Sequence, residues 1–131
     1  MGSATGIEDD DRVELLDLLS RYNHLFDSGQ AEAWADCFAP DGSFDGPAGT
    51  AHGRDELAEF CRSVSPKIAG SLHITDHHLF EVENGVVSHK CVLAVHFPTD
   101  EGVRTQLFRY ADEFEKSDGV WRFASRRVLP A

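Results

Sequence analysis

The stretch Leu72–Phe97, LHITDHHLFEVENGVVSHKCVLAVHF, decides the fold of this 131-residue chain. Apolar and polar residues alternate with a period of two on either side of Asn84-Gly85. An Asn-Gly pair between two such runs is a strong signal for a β-hairpin. We therefore predict strands over Leu72–Glu83 and Val86–Phe97, joined by a two-residue turn.

The short turn also predicts which residues of the two strands face one another. In the simplest register Glu83 pairs with Val86, and His73 pairs with His96 on one face of the hairpin. A β-bulge would shift this register by one residue and exchange the faces, so the pairing around His73 and His96 stays open. The pairs expected on the other face include Phe80–His89 and His78–Cys91.

Two further strands follow the hairpin. Period-two alternation covers Arg104–Lys116 and Val120–Val128, and turn-forming residues stand at 98–102 and 117–119. Together with the hairpin, these runs predict a four-stranded antiparallel meander.

The part of the chain before the hairpin repeats at helical spacing. Apolar residues recur every three or four positions over 11–28, 31–39 and 54–64, and Gly, Pro or Ser-Pro follows each run. We predict three helices, with a short strand at Ser43–Asp45 between the second and the third. Their buried faces are expected to include Leu15, Leu19, Trp34, Phe38, Leu57 and Phe60.

This order of elements predicts an α+β fold, with one domain over residues 8–131 and a flexible N-terminus over residues 1–7. A sheet of this length cannot leave both faces apolar and bare. The three N-terminal helices are therefore expected to cover one face, and a second subunit the other. The expected assembly is a homodimer or homotrimer through the outer sheet face.

The charge and the cysteines exclude several classes of protein. With 12 Lys and Arg against 23 Asp and Glu, the formal charge is −11, which argues against binding nucleic acid or anionic membranes. No apolar run approaches the ~20 residues that span a bilayer. The three cysteines, at 37, 61 and 91, form no C-x-x-C motif and are expected to be reduced core thiols of a cytoplasmic protein. No N-terminal export signal is visible.

Five of the seven histidines fall within residues 73–96. Their spacing argues against a metal site, because the neighbours His77 and His78 point to opposite faces of a strand. His73 and His77 share a face but lie ~13 Å apart at the rise of a strand, too far to share an ion. We therefore predict no metal.

A histidine beside a carboxylate is the better candidate for chemistry. Asp27 ends the apolar stripe of the first helix, Tyr22 lies five residues earlier, and His73 stands near the start of the first long strand. A buried carboxylate that holds an imidazole makes it a general base near neutral pH. The structural alternatives are that Asp27 or Ser28 caps the second helix, and that His73 bonds a backbone carbonyl.

The order and spacing of these residues resemble the SnoaL-like family of the nuclear transport factor 2-like superfamily, over roughly residues 8–128. That resemblance implies a curved antiparallel sheet wrapped around three helices, with a conical pocket between them. The shared segments are Leu19-x-x-Tyr22-x-x-x-x-Asp27-x-Gly29, Trp34-x-x-x-Phe38-x-x-Asp41-Gly42, His52-Gly53-Arg54, His73, Tyr110-x-Asp112-x-Phe114 and Asp118-Gly119-x-Trp121-Arg122-x-x-x-Arg126-Arg127.

The resemblance also implies residue roles. Asp27 and His73 match the Asp–His pair with which scytalone dehydratase and hexachlorocyclohexane dehydrochlorinase remove a proton beside a leaving group. Tyr22 and Asp112 match the oxyanion hole of ketosteroid isomerase. The general-base Asp of that isomerase would fall at Gly46, which puts simple isomerase chemistry in doubt.

The sequence therefore predicts a cofactor-free small-molecule enzyme in which His73, Asp27 and Tyr22 are catalytic. Elimination, isomerisation and polyketide-type cyclisation of an apolar oxygenated compound all stay open. The alternative is a non-catalytic ligand-binding or scaffold protein of the same fold. The residues expected to line the substrate pocket are Tyr110, Asp112, Trp34, Phe44, His96 and Arg126.

Overall fold

The computed structural model of this protein describes residues 6–131. Its helices are α1 (Asp9–Asp27), α2 (Ala31–Ala35) and α3 (Arg54–Val64), and a turn of 3₁₀ helix (Ser65–Ile68) follows α3. No helix within residues 6–131 is long and apolar enough to cross a membrane. The strands are β1 (Phe38–Gly46), β2 (Gly49–His52), β3 (Leu72–Glu83), β4 (Val86–Thr99), β5 (Gly102–Ser117) and β6 (Val120–Pro130).

The fold is α+β, with one six-stranded sheet in the order β2-β1-β6-β5-β4-β3. The meander of β3 to β6 is antiparallel, as the alternation predicts. The prediction missed that the Ser43–Asp45 strand belongs to a nine-residue β1, which pairs with β6 in parallel. The sheet is therefore mixed rather than wholly antiparallel.

The second helix is shorter than its apolar pattern predicts. It ends at Ala35, because the Cys37 carbonyl accepts a hydrogen bond from the Phe123 backbone N–H (2.9 Å) and the chain joins the sheet there. The β1–β6 register shifts between Phe38 and Ser43. Gly42 lies inside this irregular stretch, where an added Cβ would stand 2.8 Å from the Phe38 Cβ.

A β-bulge in β3 changes the predicted register. The Asn84-Gly85 hairpin and the Phe80–His89 pair are as predicted, but the pairing shifts by one residue between Asp76 and Leu79. His77 takes the extra position with φ of 65°, and the Asp76 side chain accepts a hydrogen bond from its backbone N–H (2.7 Å). His73 consequently pairs with Val95, so its predicted pairing with His96 is wrong.

The hydrophobic core lies between the helices and the inner face of the sheet. Five of the six predicted core residues are buried, and Phe60 is half-buried at the edge of the core. The prediction of a flexible N-terminus falls mainly on residues 1–5, which lie outside the described residues. Ile7, near the end of that segment, packs in the core and is only 3% exposed.

Large apolar side chains are exposed on the outer face of the sheet, in β3 and β5. Their exposure fits the expected contact with a second subunit, which stays a prediction. The residues are Leu72, Ile74, Leu79, Val103 and Leu107.

The three cysteines are free and buried, which predicts a loss of stability in alkali. Burial raises the pKa of the Cys37 thiol from 9.0 to about 11. The folded state therefore keeps a proton that the unfolded chain loses, and the stability present below pH 9 falls as the pH rises toward 11. At pH 11 the ionisation of this one thiol in the unfolded chain lowers the free energy of unfolding by about 2 kcal/mol.

Urea unfolding of wild type and Cys37→Ala at several pH values between 8 and 11 measures how much of the loss of stability comes from Cys37. We expect the variant to lose less stability across this range, although its stability at pH 8 is lower. An identical pH dependence in the two proteins would contradict the assignment to Cys37.

Candidate active site

A cavity of about 180 Å³ lies between the helices and the inner face of the sheet. Its walls are mostly aromatic and aliphatic, which favours an apolar ligand. Its polar groups come from Tyr22, His73, Gln106 and Tyr110. The aromatic walls are formed by Phe26, Phe44, Phe60, Phe97 and Phe108.

His73 enters this cavity from the second residue of β3. Without the bulge at His77, His73 and the buried Phe80 would point to opposite faces of the strand. With the bulge, both face the helices. The ring of Phe26 on α1 then meets the His73 ring edge to face, with centroids 5.4 Å apart.

Asp27, the last residue of α1, fixes His73 through both carboxylate oxygens. Its Oδ1 lies 2.6 Å from His73 Nδ1, and its Oδ2 accepts a hydrogen bond from the His73 backbone N–H (2.9 Å). The side chains are 10% (His73) and 15% (Asp27) exposed. In the described part of the chain α2 has no side-chain cap, so Asp27 serves the histidine rather than the helix.

The contact with Asp27 decides which ring nitrogen of His73 can accept a proton. A carboxylate at Nδ1 selects the tautomer with its proton on Nδ1 and stabilises the imidazolium when it forms. Nε2 then carries the free lone pair, on the side of the ring away from Asp27. His73 lines both the cavity and an outer depression, whereas Asp27 lines only the outer depression, beside His24 and Ser28.

Tyr22 on α1 lines the same cavity. Burial raises the pKa of Tyr22 well above its ordinary value of 10.0, and Tyr110 and Arg126 are its polar neighbours. The phenol therefore keeps its proton at neutral pH and can donate a hydrogen bond. A donor of this kind suits a substrate oxygen on which negative charge develops.

Asp112 and Arg126 support the cavity wall instead of lining it. Both side chains are 0% exposed and are joined by two hydrogen bonds, from Arg126 Nε to Oδ1 (2.8 Å) and from Nη2 to Oδ2 (3.1 Å). The Arg126 guanidinium lies 3.3 Å from the ring centroid of Tyr110, which lines the cavity. The expectation that Asp112 and Arg126 meet the substrate is corrected, because the two tyrosines stand in front of them.

Of the other three predicted pocket residues, one lines the cavity and two do not. Phe44 lines the cavity. Trp34 is fully buried and stacks on Phe60, one layer behind the wall. The prediction for His96 is wrong: the bulge leaves it on the outer face of β4, where its Nδ1 lies 2.8 Å from Thr105 Oγ1.

Sequence reasoning missed several residues that line the cavity. Phe97 lies on the inner face of β4 with Leu93 and Val95, and Gln106 and Phe108 lie on the inner face of β5. Period-two alternation identifies both sets once one inward residue of each strand is known. That starting point was lacking on β4, because the predicted register left out the bulge and placed His96 instead of Val95 on the face of His73.

The sequence matches the SnoaL-like domain over residues 8–127. A comparison with curated proteins found no match. Among solved structures, the fold is similar to an Asp-to-Asn variant of Rv3472, a Mycobacterium tuberculosis protein of unknown function. That protein is 29% identical, with a TM-score of 0.83, and the match covers 98% of this chain and 78% of that one.

Two structures from Novosphingobium aromaticivorans are also similar. An NTF2-like protein with a cystatin-like fold is 24% identical, with a TM-score of 0.83, over 91% of this chain and 80% of that one. A candidate scytalone dehydratase is 18% identical, with a TM-score of 0.78, over 91% of this chain and 83% of that one. These likenesses show that the fold is the NTF2-like, cystatin-like fold.

Proposed function

This chain belongs to the SnoaL-like domain family, a family that includes enzymes, and from that premise we propose that it is an enzyme whose His73–Asp27 dyad abstracts a proton from a small molecule. The observation that carries the proposal is the 2.6 Å contact between Asp27 Oδ1 and His73 Nδ1, beside a cavity that His73 lines. A binding protein has no need of a carboxylate held against both the ring and the backbone of one histidine.

The lining supports an apolar, partly oxygenated substrate. Five phenylalanines give the cavity walls that favour a flat hydrocarbon skeleton. Tyr22, Tyr110 and Gln106 provide hydrogen-bonding groups for one or two oxygen atoms. The volume of about 180 Å³ fits a compound of one or two small rings.

The proposed reaction begins when His73 Nε2 takes a proton from a carbon of the substrate. The electron pair of the broken C–H bond either expels a leaving group from the adjacent carbon or passes to a carbonyl oxygen as an enolate. Asp27 stabilises the imidazolium that forms, and Tyr22 donates a hydrogen bond to the oxygen that gains charge. The proton then leaves with the departing group or returns to another carbon.

A test of the proposal uses the chromogenic probe 5-nitrobenzisoxazole. A base removes its ring C–H proton, the N–O bond breaks, and a nitrophenolate with a nitrile group is released without any co-reactant. We expect saturable turnover by the wild type, faster than by free imidazole at the same concentration. A rate equal to that of free imidazole, and equal in His73→Ala, would overturn the proposal.

The competing function, a non-catalytic binding protein, rests on the apolar lining of the cavity. It predicts that the probe binds equally well to wild type and His73→Ala, with no turnover by either. Binding of the probe, followed by quenching of intrinsic fluorescence, therefore separates the two functions.

Tyr22→Phe tests the role of the hydroxyl. We expect kcat/KM for the probe to fall about 10²-fold, because one donor to the developing oxyanion is lost, while KM changes little. Tyr110→Phe is the matched control, since it removes a neighbouring hydroxyl from the same cavity. Equal losses in the two variants would contradict a specific role for Tyr22.

A further inference from the structure

Three metal-ligating side chains converge on the inner face of the β3–β4 hairpin, apart from the dyad. The nitrogens of His78 and His89 and the sulfur of Cys91 all lie within 4.8 Å of one another. His89 and Cys91 stand two residues apart on β4, so they share a face. The bulge at His77 turns His78 toward them from β3.

The hydrogen bonds on the Nδ1 side of His89 resemble those of a metal-bound histidine. Its Nδ1 donates to Asp112 Oδ2 (2.7 Å), and Arg126 holds both oxygens of that carboxylate. A carboxylate on the far nitrogen of a histidine is the usual outer partner of metal-bound imidazole. It places the proton on Nδ1 and leaves the Nε2 lone pair directed at His78.

The distances require the ion to replace one hydrogen bond. His89 Nε2 and His78 Nδ1 are hydrogen-bonded at 3.0 Å. Two nitrogens bound to one tetrahedral zinc ion at about 2.0–2.1 Å stand roughly 3.3 Å apart, so this pair needs to open by a few tenths of an ångström. The sulfur, which lies within 4.8 Å of both nitrogens, must approach them to roughly 3.6 Å.

The charge of a coordinating thiolate offsets part of the charge of the ion. A bound metal ion deprotonates a coordinating thiol outright, so Cys91 would bind as a thiolate. The buried cation of this region, Arg126, is paired with the Asp112 carboxylate through two hydrogen bonds.

We propose that His78, His89 and Cys91 bind one Zn²⁺ ion per chain, with water in the fourth position. Two imidazoles and one thiolate form a donor set that suits this borderline-soft cation, and the half-exposed side of His78 leaves room for the water. The proposed site departs from the sequence prediction of no metal, which considered the spacing of His73, His77, His78 and His96 but not His89 with Cys91. It is independent of the proposed dyad chemistry.

Cobalt titration tests the site, because Co²⁺ replaces Zn²⁺ and its complexes absorb light. Reduced, chelator-treated wild type is titrated with Co²⁺ and then with Zn²⁺. We expect a thiolate-to-cobalt charge-transfer band that saturates at one equivalent and disappears as Zn²⁺ displaces Co²⁺. The absence of a charge-transfer band in folded wild type would overturn the proposal.

Matched variants assign the ligands. Cys91→Ser should lose the charge-transfer band, whereas Cys61→Ser, which alters another buried free thiol, should keep it. Loss of an outer partner costs about 10–100-fold in metal affinity, so His78→Ala should weaken Co²⁺ binding at least that much. His77 is the neighbour of His78 and has a left-handed backbone, which asparagine tolerates. His77→Asn should therefore leave Co²⁺ binding unchanged.

Circular dichroism of each variant shows that it is folded before titration. If Cys91→Ser fails to fold, the half-exposed His78 decides the outcome. A charge-transfer band of wild-type affinity in His78→Ala would overturn the three-ligand site. His73→Ala should bind Co²⁺ like wild type, and weakened binding in that variant would place the metal at the dyad and overturn the proposal.

Discussion

Replacing His73 with alanine is expected to lower kcat/KM for the probe elimination by about 10²–10⁴-fold. The variant removes the base that takes the proton, and the remaining aromatic walls only bind the probe. KM should change little, because Phe26, Phe60 and the other apolar walls stay in place. Initial rates at several probe concentrations separate the two parameters.

Asp27→Asn should give a smaller loss of kcat/KM than His73→Ala, with little change in KM. The amide keeps the size of the carboxylate but cannot stabilise the imidazolium that forms when His73 takes the proton. His24→Ala is the control, because His24 is exposed beside Asp27 in the outer depression.

A purely structural role for the pair would give another result. His73→Ala and Asp27→Asn would then lower stability, and the rates measured on the folded fraction would equal that of the wild type. An unchanged kcat/KM in Asp27→Asn alone would likewise contradict the role of the carboxylate.

Arg126→Met is expected to destabilise the fold by about 3–5 kcal/mol. Arg126 and Asp112 are both fully buried, and Arg126 holds both oxygens of that carboxylate. The variant leaves Asp112 in the core with His89 as its remaining hydrogen-bond partner. Methionine fills a similar volume, so most of the loss comes from the uncompensated charge.

Urea unfolding measures this loss, and an exposed arginine supplies the control. Arg62 pairs with Glu32 and Glu59 on the surface, and its side chain is half exposed. Arg62→Met should cost no more than about 1 kcal/mol. Equal losses in the two arginine variants would contradict the burial argument.

The double variant Asp112→Leu, Arg126→Met separates charge from packing. It removes both members of the buried pair, so it should recover much of the stability that Arg126→Met loses. A double variant less stable than the single one would show that packing, rather than the unpaired charge, dominates.

Local patterns account for most of the secondary structure that the sequence predicted. The Asn84-Gly85 turn, the alternation over Leu72–Glu83 and the apolar stripe of α1 each depend on residues close together in the chain. Their preferences act before any tertiary contact forms, so the observed β3 has the predicted bounds. Asp27 and His73, which lie 46 positions apart in sequence, were candidates from their places at the ends of two elements, and the resemblance to a known family matched them to an Asp–His pair.

Long-range contacts account for what the sequence could not supply. The bulge at His77 turns His73 toward Asp27 and leaves His96 outside. A bulge shifts the alternation by one residue, and the polar run Asp76-His77-His78 hides that shift in the sequence. The pairing of β1 with β6 stops α2 after five residues, against an apolar pattern that continues to Phe38.

The partners of the buried Asp112 carboxylate also depend on long-range contacts. Asp112 is inward by alternation, but its contacts with Arg126 and His89 come from two other strands and depend on the final register of the sheet. Patterning along the chain therefore specified the elements and their inward faces. Packing of distant strands specified which inward side chains meet, because register across a sheet is set by contacts that no short stretch of sequence contains.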